Sequence, residues 1–333
     1  MALQQRASVA VDAMSGDGGL DIAMAAVRRA LKDDAQLRVD LVGEPGQLRE
    51  ALDSAGLKEG DRIALVAADQ VLPMDAGPAQ ALRHGGGSSM QVALERVAGG
   101  QGSAMVSAGN TGALMALSRQ VLGMLPGIER PALMAALPTA NDDVWVLDLG
   151  ANVGVNAHRL REFAQLGNTT VRVLQSRSPR IGLLNIGQEP SKGPDVVREA
   201  ARLIDAEPGL AFHGFVEADQ VFAGEVDLVV CDGFAGNVLL KSAEGMARLL
   251  FGQLRGELRG WRAALVRRSL LRVYDKLDPA RHNGAPLLGV RGIVIKSHGG
   301  ACERGFATAI GLAALEARRN LIPELEEALW ASY

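Results

Sequence analysis

Aromatic side chains are scarce in this 333-residue chain, at 4%, and cysteine is nearly absent, with two residues. Cys231 and Cys302 stand far apart and form no metal-ligand spacing, so a structural zinc site is not expected and a reducing compartment is. No stretch of about 18 uninterrupted apolar residues occurs, and the N-terminal MALQQRASVAV has no apolar core before a cleavage site. A cytoplasmic, non-spanning protein is the expectation. Charge of one sign is also lacking overall: the formal net charge is −3, which disfavours nucleic acid as a partner.

Familiar nucleotide and hydrolase motifs are missing too. After the first apolar run the glycines are Gly16, Gly18 and Gly19, and Asp21 stands where the third glycine of G-x-G-x-x-G belongs. A G-x-x-x-x-G-K-[ST] loop is absent, so nucleotide phosphates are not indicated, and without a G-x-S-x-G elbow a serine hydrolase loses support.

What is abundant is glycine, at 40 residues, and apolar mass, at 48%. These are placed in a recurring order. Apolar runs at 7–12, 37–42, 62–67, 103–107, 144–149, 180–186, 227–232 and 291–297 each read as a short buried strand. Most run into a turn of Gly, Asn or Asp, and helical spacing commonly follows. Such alternation predicts a mostly parallel sheet with helices on both faces, a three-layer α/β/α sandwich in one domain over 1–333. Ligands in that architecture bind at the carboxyl ends of the strands, so the polar turn residues are expected to gather at one edge.

The central stretch is Val106-Ser-Ala-Gly-Asn-Thr-Gly-Ala-Leu114. Gly109 and Gly112 permit close approach to the main chain, Asn110 offers an amide, Thr111 begins a helix, and the positive end of that helix suits an anion. Asp12, Gly16, Asp17, Asp148, Asn152, Asn185, Glu189, Asp232, Asn237, Lys296 and His298 occupy the equivalent turns, and Lys192 sits on a glycine-flanked loop after Gly187. Such a set suits a small oxyanion such as phosphate and charge developing on a carbonyl oxygen. Cys231 reads as a covalent nucleophile or as a small buried strand residue. His298 reads as a proton donor or as a residue tying its turn.

Taken together, Asp12-Ala-Met-Ser-Gly-Asp17, Gly87-Ser-Ser-Met90, the central stretch, Asp148-Leu-Gly-Ala-Asn152, Leu184-Asn-Ile-Gly187, Val230-Cys-Asp-Gly-Phe234, Gly236-Asn237, Asn283-Gly-Ala-Pro-Leu287 and Lys296-Ser-His-Gly299 resemble the motifs of bacterial phosphate acyltransferases of phospholipid synthesis. The resemblance runs from about residue 8 to residue 320. It implies transfer of a long-chain acyl group from acyl-carrier protein to inorganic phosphate, giving acyl phosphate for a glycerol-3-phosphate acyltransferase. It also implies an isopropylmalate-dehydrogenase-like fold, a homodimer, and no cofactor or metal.

On that basis Asn110, Lys192, Asp232, Asn237 and His298 are the candidate catalytic residues. Asp12, Gly16, Asp17, Gly109, Thr111, Gly112, Asp148, Asn152, Gly187, Gly233 and Gly299 are the candidate substrate-binding ones. Departures from the family's pattern fall at Ser15, Gly87, Gly154, Pro194 and Cys302. The alternatives are a phosphate acyltransferase of short acyl-CoA, a metal- and NAD-dependent decarboxylating dehydrogenase on the same scaffold, and a non-catalytic module that binds an acyl carrier.

One segment stands apart in charge. Residues 248–276 hold eight basic side chains and two acidic ones, a local +6. Leu250, Leu254, Leu258, Trp261 and Leu265 recur there at steps of three or four, predicting an amphipathic helical excursion over about 245–280. Leu254, Trp261, Arg262, Leu265, Arg267 and Arg268 are the expected contacts to anionic membrane lipid or to the acidic carrier, which would place the enzyme peripherally at the inner face of the cell membrane. A core or dimer helix with a solvated basic face is the other reading.

Overall fold

The computed structural model describes residues 6–257 and 272–331. Eleven strands form one sheet in the order β3-β2-β1-β4-β11-β10-β5-β6-β9-β7-β8. They are β1 (Ala7–Asp12), β2 (Leu37–Gly43), β3 (Ile63–Ala67), β4 (Ala104–Ser107), β5 (Ala132–Pro138), β6 (Asp143–Leu147), β7 (Arg180–Leu184), β8 (Ala211–Val216), β9 (Leu228–Val230), β10 (Ala285–Leu288) and β11 (Ile293–Lys296). All but three of the neighbouring pairs run parallel: β11–β10, β10–β5 and β5–β6 are antiparallel.

Helices cover both faces because the strands are apolar on both. On β1, Val9 and Val11 point into one core while Ala10 points into another, and on β6 Trp145 and Leu147 alternate with Val144 and Val146 in the same way. One face carries α1 (Gly19–Asp33), α2 (Pro45–Ser54), α6 (Ala157–Gln175), α7 (Asp195–Asp205), α10 (Glu303–Arg318) and α11 (Leu321–Trp330). The other carries α3 (Pro78–His84), α4 (Ser89–Ala98) and α5 (Thr111–Leu122) over the first half of the sheet. Over the second half of that face lie α8 (Ala218–Val221) and the start of α9 (Gly233–Glu257).

The central antiparallel strands decide where the turns go. Three successive reversals make the β6, β9, β7 and β8 set run opposite to the β3, β2, β1, β4 and β11 set. The expectation of a single ligand edge is therefore corrected: two sets of carboxyl ends point toward each other. Register shows that they meet. Leu147 at the end of β6 pairs with Met134; Leu133 pairs with Leu287, which sets Met134 beside Pro286; and Pro286 pairs with Ile295, next to the end of β11. The turns after β4 and β11 thus face those after β6 and β9 across β10 and β5.

The expected helical excursion takes a different form. Helix α9 starts at Gly233, well before residue 245, and residues 272–277 are again helical. Leu258, Trp261, Arg262, Leu265, Arg267 and Arg268 lie outside the described residues. Among the described residues no helix is long and apolar enough to cross a membrane.

Candidate active site

Where the two sets of turns face each other, a cavity of about 1020 Å³ opens. Thr111, Asn237, Lys296, Ser297 and His298 line its polar end. Leu133, Ala135 and Leu137 of β5 and Leu240, Ala247, Leu250 and Leu254 of α9 line it as well. Val273, Leu277 and Ala285 also border it. Leu254, expected as a docking contact, is thus part of the cavity wall.

The polar end is built mainly from the first half of the sheet. Lys296 closes β11 beside Ser107 of β4, and its Nζ donates to the carbonyl oxygens of Ala108, at 3.4 Å, and of Ser297. Burial pushes its ammonium down to about 8; Asp17 and Asp12 oppose that fall, and Lys241 on α9 adds to it. Next along the chain, Ser297 N–H donates to Ser107 O at 2.9 Å. Asn283 Oδ1 accepts from His298 N–H at 3.0 Å, while its Nδ2 donates to Ser297 Oγ at 2.8 Å. The His298 Nδ1 accepts from Gly300 N–H at 3.1 Å, so in the neutral ring the proton is on Nε2. The imidazole both ties its turn and borders the cavity.

Asp12 sits behind this surface. It is fully buried, and its Oδ2 accepts from Ser107 Oγ at 2.7 Å; burial raises its carboxyl above the usual range. The same Ser107 Oγ accepts from Gly109 N–H at 3.1 Å, and Ser15 Oγ accepts from Ala108 N–H at 3.1 Å. This network fixes the turn into α5 from inside. Gly16 and Asp17 lie beside it, with Asp17 N–H bonded to Gly299 O at 2.9 Å.

Asn110 is committed locally. Its Oδ1 caps α5 by accepting from Ala113 N–H at 3.0 Å, and its Nδ2 donates to Met74 O at 2.9 Å. Gly109 has a packing reason as well, since a Cβ there would press on Met90 Cε of α4, and one on Gly112 would come 3.1 Å from Pro78. Thr111 is the residue of this turn that lines the cavity.

On the facing side, carboxylates hold turns. Asp148 is buried and takes four N–H donors: Leu133 at 2.9 Å and Ala151 at 3.1 Å on Oδ1, Asn152 N at 2.6 Å and Asn152 Nδ2 at 3.0 Å on Oδ2. Burial raises its carboxyl, with those bonds opposing. Asp232 likewise accepts from Gly154 at 2.7 Å, Val155 at 3.0 Å and Phe234 at 2.8 Å. Gly233 N–H donates to Asn152 O at 2.8 Å, and any side chain on Gly233 would collide with that oxygen. These bonds lock the β6 turn to the start of α9, and one turn on, Asn237 reaches the cavity beside Gly150.

Lys192 is not brought to this lining. It is exposed on the loop after β7, one strand beyond β9, where Asn185 Nδ2 braces the chain through Gly187 O at 3.1 Å and Lys192 O at 3.2 Å. Cys231 is buried, its Sγ 3.4 Å from Asp148 O, and burial with Asp148 and Asp232 nearby pushes the thiol up strongly. That environment opposes a thiolate nucleophile. Lys296 was visible in the sequence only as one more polar turn residue; its signal is a lone cation ending the apolar run Ile293–Ile295.

Comparison with known proteins gives the same direction. Residues 7–323 match the family described as fatty acid synthesis protein. The chain is 45% identical over 328 residues to a phosphate acyltransferase of Alcanivorax borkumensis, covering 97% of each. It is 46% identical over 323 residues to one of Pseudomonas savastanoi, covering 96% of this chain and 95% of that one. A phosphotransacetylase from Streptococcus pyogenes superposes with a TM-score of 0.66 at 19% identity, covering 94% of both chains. A putative 4-hydroxythreonine-4-phosphate dehydrogenase from Salmonella typhimurium superposes at 0.55 and 15%, covering 93% of this chain and 99% of that one. These two share the fold.

Proposed function

Since this chain belongs to the phosphate acyltransferase family and is an acyltransferase, we propose that it moves a long-chain acyl group from acyl-carrier protein to inorganic phosphate. The observation that carries this reading is the cavity itself, which joins a polar end bearing an ammonium to a long aliphatic wall. A short acyl group would leave most of that wall unused.

In this reading phosphate binds at the polar end, attracted by Lys296 and by the first N–H groups of α5. A phosphate oxygen attacks the thioester carbonyl carbon. Negative charge collects on the carbonyl oxygen, where the Asn237 amide and the His298 Nε2–H can donate. The C–S bond then breaks, the sulfur takes up the proton that the attacking hydrogen phosphate gives up and becomes the carrier's free thiol, and acyl phosphate remains. A thiolate leaves readily, so positioning and charge stabilisation suffice without a covalent acyl-enzyme. Asp12, Asp148, Asn152 and Asp232 act by holding the turns.

The same reading has the product pass to a glycerol-3-phosphate acyltransferase and takes the enzyme as a homodimer at the membrane surface. The +6 of residues 248–276 supports contact with anionic headgroups. The test is release of carrier thiol from a long-chain acyl carrier. Release should require phosphate, and release that is indifferent to phosphate would refute the proposal.

A further inference from the structure

The wall contributed by α9 has a length and a periodicity that the transfer chemistry does not need. Leu240, Ala247, Leu250 and Leu254 line the cavity at steps of seven, three and four, an aliphatic stripe along the helix that Lys241, Ser242 and Glu244 flank near its start. From Asn237 at the polar end to Leu254 the helix advances 17 residues, roughly 25 Å at 1.5 Å per residue. That is the scale of an extended long-chain fatty acyl group. Among the described residues Leu250 and Leu254 are 54% and 40% exposed while lining this space, so they offer apolar surface to it. Leu133, Ala135 and Leu137 present the alternate face of β5 to the same cavity.

Two features bear on how a chain would lie there. The small side chains Ala135 and Ala247 both line the cavity, and Ala247 lies between Asn237 and Leu254 along α9. Farther out, Phe251 and Tyr274 meet edge to face with centroids 5.0 Å apart, joining α9 to the returning segment on the cavity's flank.

We propose that this channel is the acyl-chain site, that the chain runs from the polar end along α9 toward Leu254, and that Ala247 sets how much chain can pass. This inference rests on the acyl-transfer reading above. The ligand class is a saturated or singly unsaturated fatty acyl chain. Its carbonyl lies beside Asn237 and His298 and its methyl end near Leu254, and each methylene seated on the wall strengthens binding roughly fourfold.

The test compares sixteen-carbon and eight-carbon acyl carriers with wild-type enzyme, Ala247→Phe and Leu250→Ala. Phosphate-dependent thiol release is followed, and thermal melting of each variant is recorded. A phenyl ring at 247 withholds the wall beyond it from the longer chain, so the sixteen- to eight-carbon ratio of kcat/KM should fall at least tenfold. Leu250→Ala removes wall without blocking the channel, and the ratio should fall severalfold. Ratios within twofold of wild type in both variants, or equal losses for both chain lengths in proteins with native melting, would overturn the assignment. Wild-type enzyme that releases no thiol with either carrier would instead refute the acyl-transfer reading itself.

Discussion

The Lys296 Nζ lies 3.4 Å from the carbonyl oxygen of Ala108, binding the end of β11 to the turn that opens α5. Because the group is largely buried, its ammonium is held down to about 8. If it binds phosphate as the cation, kcat/KM for phosphate is highest below that pH and falls as pH rises through it. Lys296→Met should lose roughly 10²–10³ in kcat/KM. Lys296→Arg, which stays charged throughout, should remove the alkaline fall even where its rate is lower. A pH profile of Lys296→Arg that keeps the wild-type limb would show that another group titrates.

Asn110 caps α5 through Ala113 and also anchors Met74. Its replacement by Ala should cost about 1 kcal/mol of stability through the cap alone. Asn110→Ser should recover much of that stability, since a hydroxyl can cap the helix, but not the Met74 bond. Denaturant unfolding of the two variants measures the difference. If both are as stable as wild type, the cap and the Met74 bond contribute nothing to stability.

The buried Cys231 offers no accessible thiolate, and the chemistry proposed has no step for it. Cys231→Ser should fold and turn over. A thioester or ester on residue 231, caught by mass spectrometry during turnover, would contradict direct attack by phosphate.

Glu316 of α10 is 1% exposed, and its Oε1 has no hydrogen-bond partner among the described residues. Burial raises its carboxyl to about 8, so the folded protein keeps a proton that the unfolded chain releases near the ordinary 4.5. The native state therefore binds more protons between these values, and stability falls as pH rises from about 4.5 to about 8. Glu316→Gln should raise the melting temperature at pH 8, with the gain shrinking toward pH 4.5. Equal melting at both pH values would show that Glu316 has a partner in solution.

Much of this architecture could be read from local pattern. Val9, Val106, Val146 and Ile295 sit in short apolar runs closed by Gly, Asn or Asp, and each run became a strand delivering a turn to the site. Strands β5 and β10 carry Pro138 and Pro286 and were not among the expected strands, because they form through pairing with distant partners. With them went the reversal of direction, which no local pattern encodes. The roles of Asp148 and Asp232 were hidden for a related reason: a carboxylate in a turn looks alike whether it meets a ligand or, as here, backbone N–H groups from neighbouring turns. Lys192, a glycine-flanked lysine, follows a strand beyond β9 and stays out of the cavity lining, which no local pattern shows.

In the proposed reaction phosphate, not water or an enzyme side chain, takes the acyl group. The most direct measurement supplies a sixteen-carbon acyl carrier with and without phosphate, traps the product with hydroxylamine and counts acyl hydroxamate against free carrier thiol. Equal amounts of the two are expected in excess of the phosphate-free control, which measures direct cleavage of the thioester by hydroxylamine. Thiol release accompanied by free fatty acid, with no hydroxamate above the phosphate-free control, would contradict it.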